Sequence, residues 1–220
     1  MRFWRLLIQE EGQDPGGEIR ERIYREAERC REIVGQLLDY ARSSRTAPRP
    51  TPLNLGDVAR EVIQLLSYRM KRQGVNWRLD WAPGTPLVEA DPGEMKQVLL
   101  NVLLNAVEAM ENGGTVRVTG EQIQRETTVG GDSLLNPMVS VVHKSWLEVR
   151  VADEGPGLGP ADPERVFEAF YTTKDKGGGL GLPVCRRILK EWGGEISLEN
   201  REGGGACAVI RLPGWGEEGG

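Results

Sequence analysis

No apolar stretch in the chain approaches the ~18 residues needed for a membrane-spanning helix. Phe3 to Ile8 is too short and too poorly flanked to be a secretory signal. Basic blocks are also absent, and the net charge is −5, which argues against nucleic acid as the main partner. Cysteine is scarce: Cys30, Cys185 and Cys207 are odd in number, far apart and without a paired metal spacing. That usage points to structural thiols in a reducing compartment, so a cytoplasmic chain without membrane contact is expected. The one histidine, His143, has no catalytic constellation around it and reads as a strand or loop residue. What remains is a soluble, globular composition, 39% hydrophobic and 28% charged, over 220 residues. That length holds one sizeable domain and an additional element.

The additional element comes first. Residues 1–11 read as the tail of a helix, and a breaker, Gly12 to Gly17, follows. From about Glu18 to Arg45 the apolar positions Ile23, Ala27, Cys30, Val34, Leu37 and Ala41 alternate steps of four and three. This is a coiled-coil seam, which needs another helix to bury it, in a hairpin or a dimer, unless it packs on its own domain. The proline-rich stretch 47–52 is read as a linker, because proline lacks an amide and restricts the residue before it. A helix over about 55–72 capped by Asn54, a strand over 75–81, and a helix opened by Asp91-Pro92 are expected next. A strand over 115–119 leads into residues 121–138, which are polar, unpatterned and read as a long hairpin loop or insertion.

Four stretches carry chemistry. The apolar strand 147–152 ends in Asp153-Glu154-Gly155-Pro156-Gly157-Leu158-Gly159. A carboxylate fixed at a strand end can accept from a purine amine, and the glycines let backbone approach a ligand. Alone, this stretch reads as a surface loop. The second stretch is the helix continuing to about Asn112, apolar nearly all round apart from Gln97, Asn101, Asn105 and Glu108. At ~100° per residue these four share a sector about 80° wide. A solvent stripe would favour Lys, Glu or Arg, whereas two Asn one turn apart suit neutral oxygen ligation of a cation such as Mg²⁺, or contact with phosphates.

The third stretch, Val166 to Lys174, offers aromatic anchors and a lysine that can reach phosphate; a small hydrophobic cluster is the plainer alternative. The fourth, Gly177-Gly178-Gly179-Leu180-Gly181-Leu182, runs into a helix and presents backbone amides at its positive end. It lacks the Gly-Lys-Ser/Thr ending of a P-loop.

In this order and spacing the four stretches resemble the ATP-binding domain of sensor histidine kinases, within the gyrase, Hsp90, histidine kinase and MutL superfamily. Asn101 and Asn105 match the N box, Asp153 to Gly159 the first glycine box, Phe167 to Phe170 the F box, and Gly177 to Leu182 the second glycine box. The resemblance covers about residues 53–213. Residues 18–45 resemble the second helix of the dimerisation hairpin, with the nitrogen-regulation type the nearest flavour.

The resemblance implies an α+β fold, a two-layer sandwich with a mixed sheet and helices on one face (the Bergerat-type ATP fold), preceded by the coiled-coil-like helix. The implied division is 1–46 partial dimerisation hairpin, 47–52 linker, 53–213 catalytic domain and 214–220 tail. It implies that Asp153 accepts the adenine amine, while Gly155 and Gly157 shape the adenine side and the hinge of a lid over 171–178. Asn105 binds Mg²⁺ against the phosphates, with Asn101 in support and Glu108 orienting water or capping the stripe. Gly179 and Gly181, with Leu180 and Leu182, cradle phosphate, and Lys174 reaches it. The implied partners are ATP, a second copy through residues 18–45 and a response-regulator receiver domain.

Two departures bear on function. Gly178 stands where the family commonly has Thr. The acceptor histidine of the first hairpin helix is absent, and His143 lies inside the catalytic domain. The expectation is a kinase core, truncated or a short paralogue, that binds ATP and phosphorylates a His supplied outside this chain. The alternatives are a nucleotide-gated interaction module without phosphoryl transfer, and a serine kinase of the anti-sigma type.

Overall fold

The computed structural model describes residues 49–129, 140–159, 163–172 and 179–216, and the single helical position Ile23. Apart from Ile23, the seam helix expected over 18–45 lies outside the described residues, as do Lys174 and the expected lid beyond Thr172 as far as Gly178.

Strand β1 (Thr51–Leu53) leads into helix α1 (Leu55–Arg72). Asn54 starts that helix by accepting from the Gly56 amide at 2.8 Å, filling one of the donors that a helix N-terminus leaves open. Val58, Val62 and Leu66 then recur one turn apart and are buried. Strand β2 (Val75–Trp81), the short β3 (Val88–Ala90) and helix α2 (Pro92–Ala109) follow. Asp91 caps α2 by accepting from the amides of Gly93 and Glu94, and its other oxygen accepts from the Arg49 amide at 3.0 Å. The Arg49 amide is the main reason its carboxyl lies below the usual carboxylate range, and the opposing effect of burial is overcome.

Strand β4 (Gly114–Val129), strand β5 (Ser140–Ala152), a 3-10 turn (Arg165–Phe167), helix α3 (Gly181–Glu191), and strands β6 (Glu195–Asn200) and β7 (Ala206–Pro213) complete the described chain. Five strands form one mixed sheet in the order β2-β4-β5-β7-β6. Only β2–β4 is parallel, with Val75 opposite Gly114, and α2 lies in the connection between them. The other pairs are antiparallel.

Alternation sorts the sheet into two faces. Val116, Val118, Leu147, Val149, Val151, Ala208, Ile210 and Leu212 join the buried cluster with the inner sides of α1, α2 and α3. Among the intervening positions Arg117, Glu148, Arg150 and Arg211 carry charge, while Cys207 and Val209 of β7 are buried. There Glu148 accepts from Arg150 at 3.0 Å and from Arg211 at 2.6 Å. Arg150 pairs onward with Glu199, and Arg211 with Glu195. The result is the mixed sheet covered by helices on one face that the resemblance implies.

Two stretches differ from expectation. Residues 121–129, expected as loop or insertion, continue β4, and the ladder with β5 runs out to Val129 opposite Ser140. Main-chain bonding carries this ribbon beyond the core, so it needs no apolar alternation. The end of the proline-rich linker is also ordered as strand. Thr51 and Pro52 pair with Ala90 and Glu89 in a separate two-stranded sheet, where an edge position tolerates proline.

Candidate functional site

The site is assembled around the end of β5. One residue past that strand, the Asp153 amide donates to the Ala206 carbonyl at 2.9 Å and prolongs the ladder with β7. The side-chain Oδ1 of Asp153 accepts from the Gly155 amide at 2.9 Å and the Ala206 amide at 3.1 Å. Its carbonyl accepts from Arg201. Asp153 is thereby held at side chain and main chain while only 6% exposed. Both amides converge on Oδ1, which leaves Oδ2 for an incoming donor.

The glycines after it have specific jobs. A Cβ at Gly155 would stand 2.9 Å from the Ala109 carbonyl oxygen, so this loop lies against the C-terminal turn of α2. At Gly157, φ is +81° and a Cβ would meet Asn200 Oδ1 at 2.6 Å. That same oxygen accepts from the Leu158 amide at 2.8 Å and ties the loop to the end of β6.

Helix α2 runs from this loop to the start of α3. Its polar residues Gln97, Asn101, Asn105 and Glu108 are half-buried, whereas Val98, Leu99, Val102, Leu103, Ala106 and Val107 are buried. Asn101 donates through Nδ2 to the Gly181 carbonyl at 3.3 Å. Glu108 pairs with Arg69 of α1 at 2.8 Å. From Asn101 to Ala109 is two turns, about 12 Å of axis at ~1.5 Å per residue. Asn105 sits midway, between the α3 N-terminus and the Asp153 loop.

Helix α3 opens without a side-chain cap, because the cap residue is Leu180. Pro183 has no amide to offer, so Gly181 and Leu182 present the leading donors at the positive end of the helix. Cys185, one turn in, is fully buried and donates to the Val98 carbonyl at 3.7 Å. Burial pushes its thiol up to about 12.

The aromatic stretch packs beside this helix. Phe167 is buried, and the Arg186 guanidinium lies 3.8 Å from its ring centroid. Phe170 points outward and is 67% exposed. His143 is exposed on β5 opposite Glu126, a strand histidine as expected.

The structure thus gathers Asp153, Gly155, Gly157, Asn101, Asn105, Glu108, Gly179, Leu180, Gly181 and Leu182 along one helix. It adds residues that sequence reasoning missed: Ala206, Asn200 and Arg201 from the last hairpin, Ala109 from α2 and Arg69 from α1. Only position hints at Ala206, which follows the triple glycine 203–205. The rest act through long-range contacts without a local pattern.

A profile of the family described as histidine kinase-, DNA gyrase B-, and HSP90-like ATPase matches residues 90–215. The chain belongs to this family. The histidine kinase-like ATPase domain is homologous to sensor kinases. Sporulation kinase E of Bacillus subtilis is 30% identical over 191 residues, covering 87% of this chain and 23% of that protein. The sensor histidine kinase ZraS of Salmonella typhimurium is 29% identical over 196 residues, covering 89% of this chain and 38% of that protein. The chain therefore spans well under half the length of these curated relatives.

Among solved structures, full-length ShkA in complex with AMPPNP aligns with a TM-score of 0.66 at 26% identity, over 96% of this chain and 42% of that one. The catalytic domain of histidine kinase ThkA aligns at 0.59 and 31% identity, over 76% of this chain and 96% of that one. ThkA in complex with the response regulator TrrA aligns at 0.68 and 26% identity, over 99% of this chain and 57% of that one. No helix among the described residues is long and apolar enough to cross a membrane.

Proposed function

We propose that this chain is the catalytic core of a sensor histidine kinase. It binds Mg-ATP and transfers the γ-phosphoryl to a His supplied outside the chain, for relay to a response-regulator receiver domain. The observation that carries the reading is the clamped Asp153 carboxylate, which stands about two turns of α2 away from the uncapped amides of Gly181 and Leu182. A purine amine donates to Asp153, and the phosphates lie at the α3 N-terminus, where free amides and the helix dipole favour negative charge. The AMPPNP bound to ShkA and the TrrA bound to ThkA support this assignment of ligand and partner.

The donor set fits Mg²⁺ that arrives with nucleotide. Among the described residues no three His, Cys, Asp or Glu side chains gather to hold a metal. The side-chain oxygen of Asn105 would offer one hard ligand, with phosphate and water oxygens left to supply the others, which is how magnesium prefers to bind. An ion held there would supply neutralisation of phosphate charge. Asn101 holds the α3 N-terminus in register, and Glu108 with Arg69 fixes the end of the polar stripe. Gly179, Leu180, Gly181 and Leu182 shape the phosphate cradle, and Lys174 reaches toward it from the lid over 171–178.

Phosphoryl transfer needs position and charge stabilisation more than covalent participation by the protein. The bond from γ-phosphorus to the β–γ bridging oxygen breaks, a P–N bond to the acceptor imidazole forms, and ADP leaves. Residues 18–45 pair two chains in the full-length protein, and the compartment is cytoplasmic.

Calorimetric titration with AMPPNP, with and without Mg²⁺, tests the site. Magnesium-dependent binding that is lost in Asp153→Asn and weakened in Asn105→Ala is expected; equal affinity in both variants would sink the assignment. Adding labelled ATP and a kinase fragment that bears the acceptor His tests transfer, and label must appear on that fragment.

A further inference from the structure

On the helix-free face of the sheet, behind Asp153, a cavity of about 260 Å³ is lined by Arg78, Thr115, Arg117, Ala152, Glu154 and Arg201. Arg78 lies directly opposite Arg117 in the β2–β4 ladder, and Arg117 lies opposite Ala152 in the next pair. Arg201 enters from the hairpin between β6 and β7. These positions alternate with Val116, Val118 and Val151, which point into the core. The cavity and the Asn101–Asn105 stripe therefore lie on opposite sides of the sheet.

The charges in it do not balance. Three arginines and one carboxylate, Glu154, line it, and Glu154 Oε2 already accepts from the Thr115 amide at 2.9 Å. Asp80 approaches Arg117 only to 3.9 Å, with both side chains more than half exposed. So wide and solvated a pair contributes little. Like charges opposed across a ladder repel, and an anion between them reverses the sign of that interaction.

We propose that this cavity binds a small phosphate-class oxyanion, either orthophosphate or the phosphate group of a small metabolite. Guanidinium forks arriving from three separate segments match a tetrahedral anion with several oxygens better than they match a planar carboxylate. The volume is below the usual 300–1,000 Å³ range of pockets for larger organic ligands, which argues for a small anion rather than a second nucleotide. Arg201 also donates to the Asp153 carbonyl, so the anion shares a side chain with the backbone of the nucleotide site. Binding itself does not depend on that site.

The test uses the nucleotide-free protein. Inorganic phosphate and, in a second series, glycerol 3-phosphate are titrated while backbone amide shifts are followed by NMR. Saturable shifts at Thr115, Ala152 and Glu154 are expected. Their midpoint should rise at least tenfold in the Arg78→Gln/Arg117→Gln double variant and stay unchanged in the exposed control Arg60→Gln. Response to both probes identifies the phosphate group as the ligand; response to one of them identifies its source. Shifts confined to Gly179 to Leu182, linear non-saturating shifts, or the same midpoint in the double variant would overturn the proposal. The wild-type shift map stands even if the double variant proves unstable.

Discussion

The amide of Phe170 donates to the carbonyl of Gly179 at 3.0 Å, and both residues have positive φ, 68° and 62°. This bond ties the end of the aromatic stretch to the residue that precedes the α3 cap. The two ends of the segment proposed as a lid therefore share one anchor. Gly179 has little room there, since a Cβ would lie 2.6 Å from the Phe170 carbonyl carbon and 2.7 Å from the Tyr171 oxygen.

Gly179→Ala is therefore expected to break the anchor. Left-handed backbone alone costs an L-residue about 1–2 kcal/mol, and the clash with main chain adds to it. Affinity for AMPPNP should fall by an order of magnitude or more, with only a small change in melting temperature. Calorimetry paired with a thermal melt separates the two effects.

The Asn200 side chain holds the loop after Asp153 by accepting from the Leu158 amide. Removing it in Asn200→Ala forfeits one hydrogen bond, about 1 kcal/mol or roughly fivefold in affinity. Asn200→Asp keeps an acceptor in place and should restore most of the loss. If Asn200→Ala binds AMPPNP as well as wild type, this tie does not hold the loop in its binding shape.

Glu148 gives a pH-dependent stability. Burial raises its pKa, but hydrogen bonds from Arg150 and Arg211 and their charges outweigh that and leave it below the usual glutamate value. A carboxylate with a depressed folded-state pKa stabilises the fold above its unfolded pKa, and that stability is lost as pH falls through the folded value. Wild type should thus lose stability as the pH drops below the ordinary glutamate range. Glu148→Gln, in urea melts across pH, should flatten that acid limb and be less stable near neutrality by about 1–3 kcal/mol.

Cys185 should be inert. Its thiol, held at about 12 by burial, exposes no thiolate at neutral pH. Alkylation followed by peptide mapping should leave Cys185 unmodified in the native protein and modified after unfolding. Labelling at a rate matching a free thiol would mean that α3 opens far more often than its packing on α2 implies.

Much of this architecture is legible in the sequence because local signals agree with the tertiary answer. Asn54 and the turn-spaced Val58, Val62 and Leu66 specify α1 end to end. Alternation specifies β2. The far half of the β4–β5 ribbon was not legible, since its ladder rests on main-chain bonds that any polar sequence can make. In the site, the glycines and asparagines announce themselves. Their partners do not: Ala206, Asn200 and Arg201 reach Asp153 and its loop only because β6 and β7 complete the sheet beside β5. Asn101 also illustrates a limit of pattern reading. Its spacing from Asn105 places both side chains on one face but does not reveal that its amide nitrogen donates to the Gly181 carbonyl.

The parallel pairing of β2 with β4 has a kinetic consequence. Such a pair cannot form as a hairpin, and the connection it must close contains β3 and all of α2. Closing that span is entropically costly before any ladder bond rewards it. The hairpins β4–β5 and β6–β7 can each form by short-range steps, whereas pairing β5 with β7 and β4 with β2 both wait on long closures, so β2 is expected to dock after the hairpins, once α2 has settled on the sheet. The helix carrying Asn101 and Asn105 would then be in place before the domain's edge is sealed, and slow variants should map to β2 rather than to the nucleotide site.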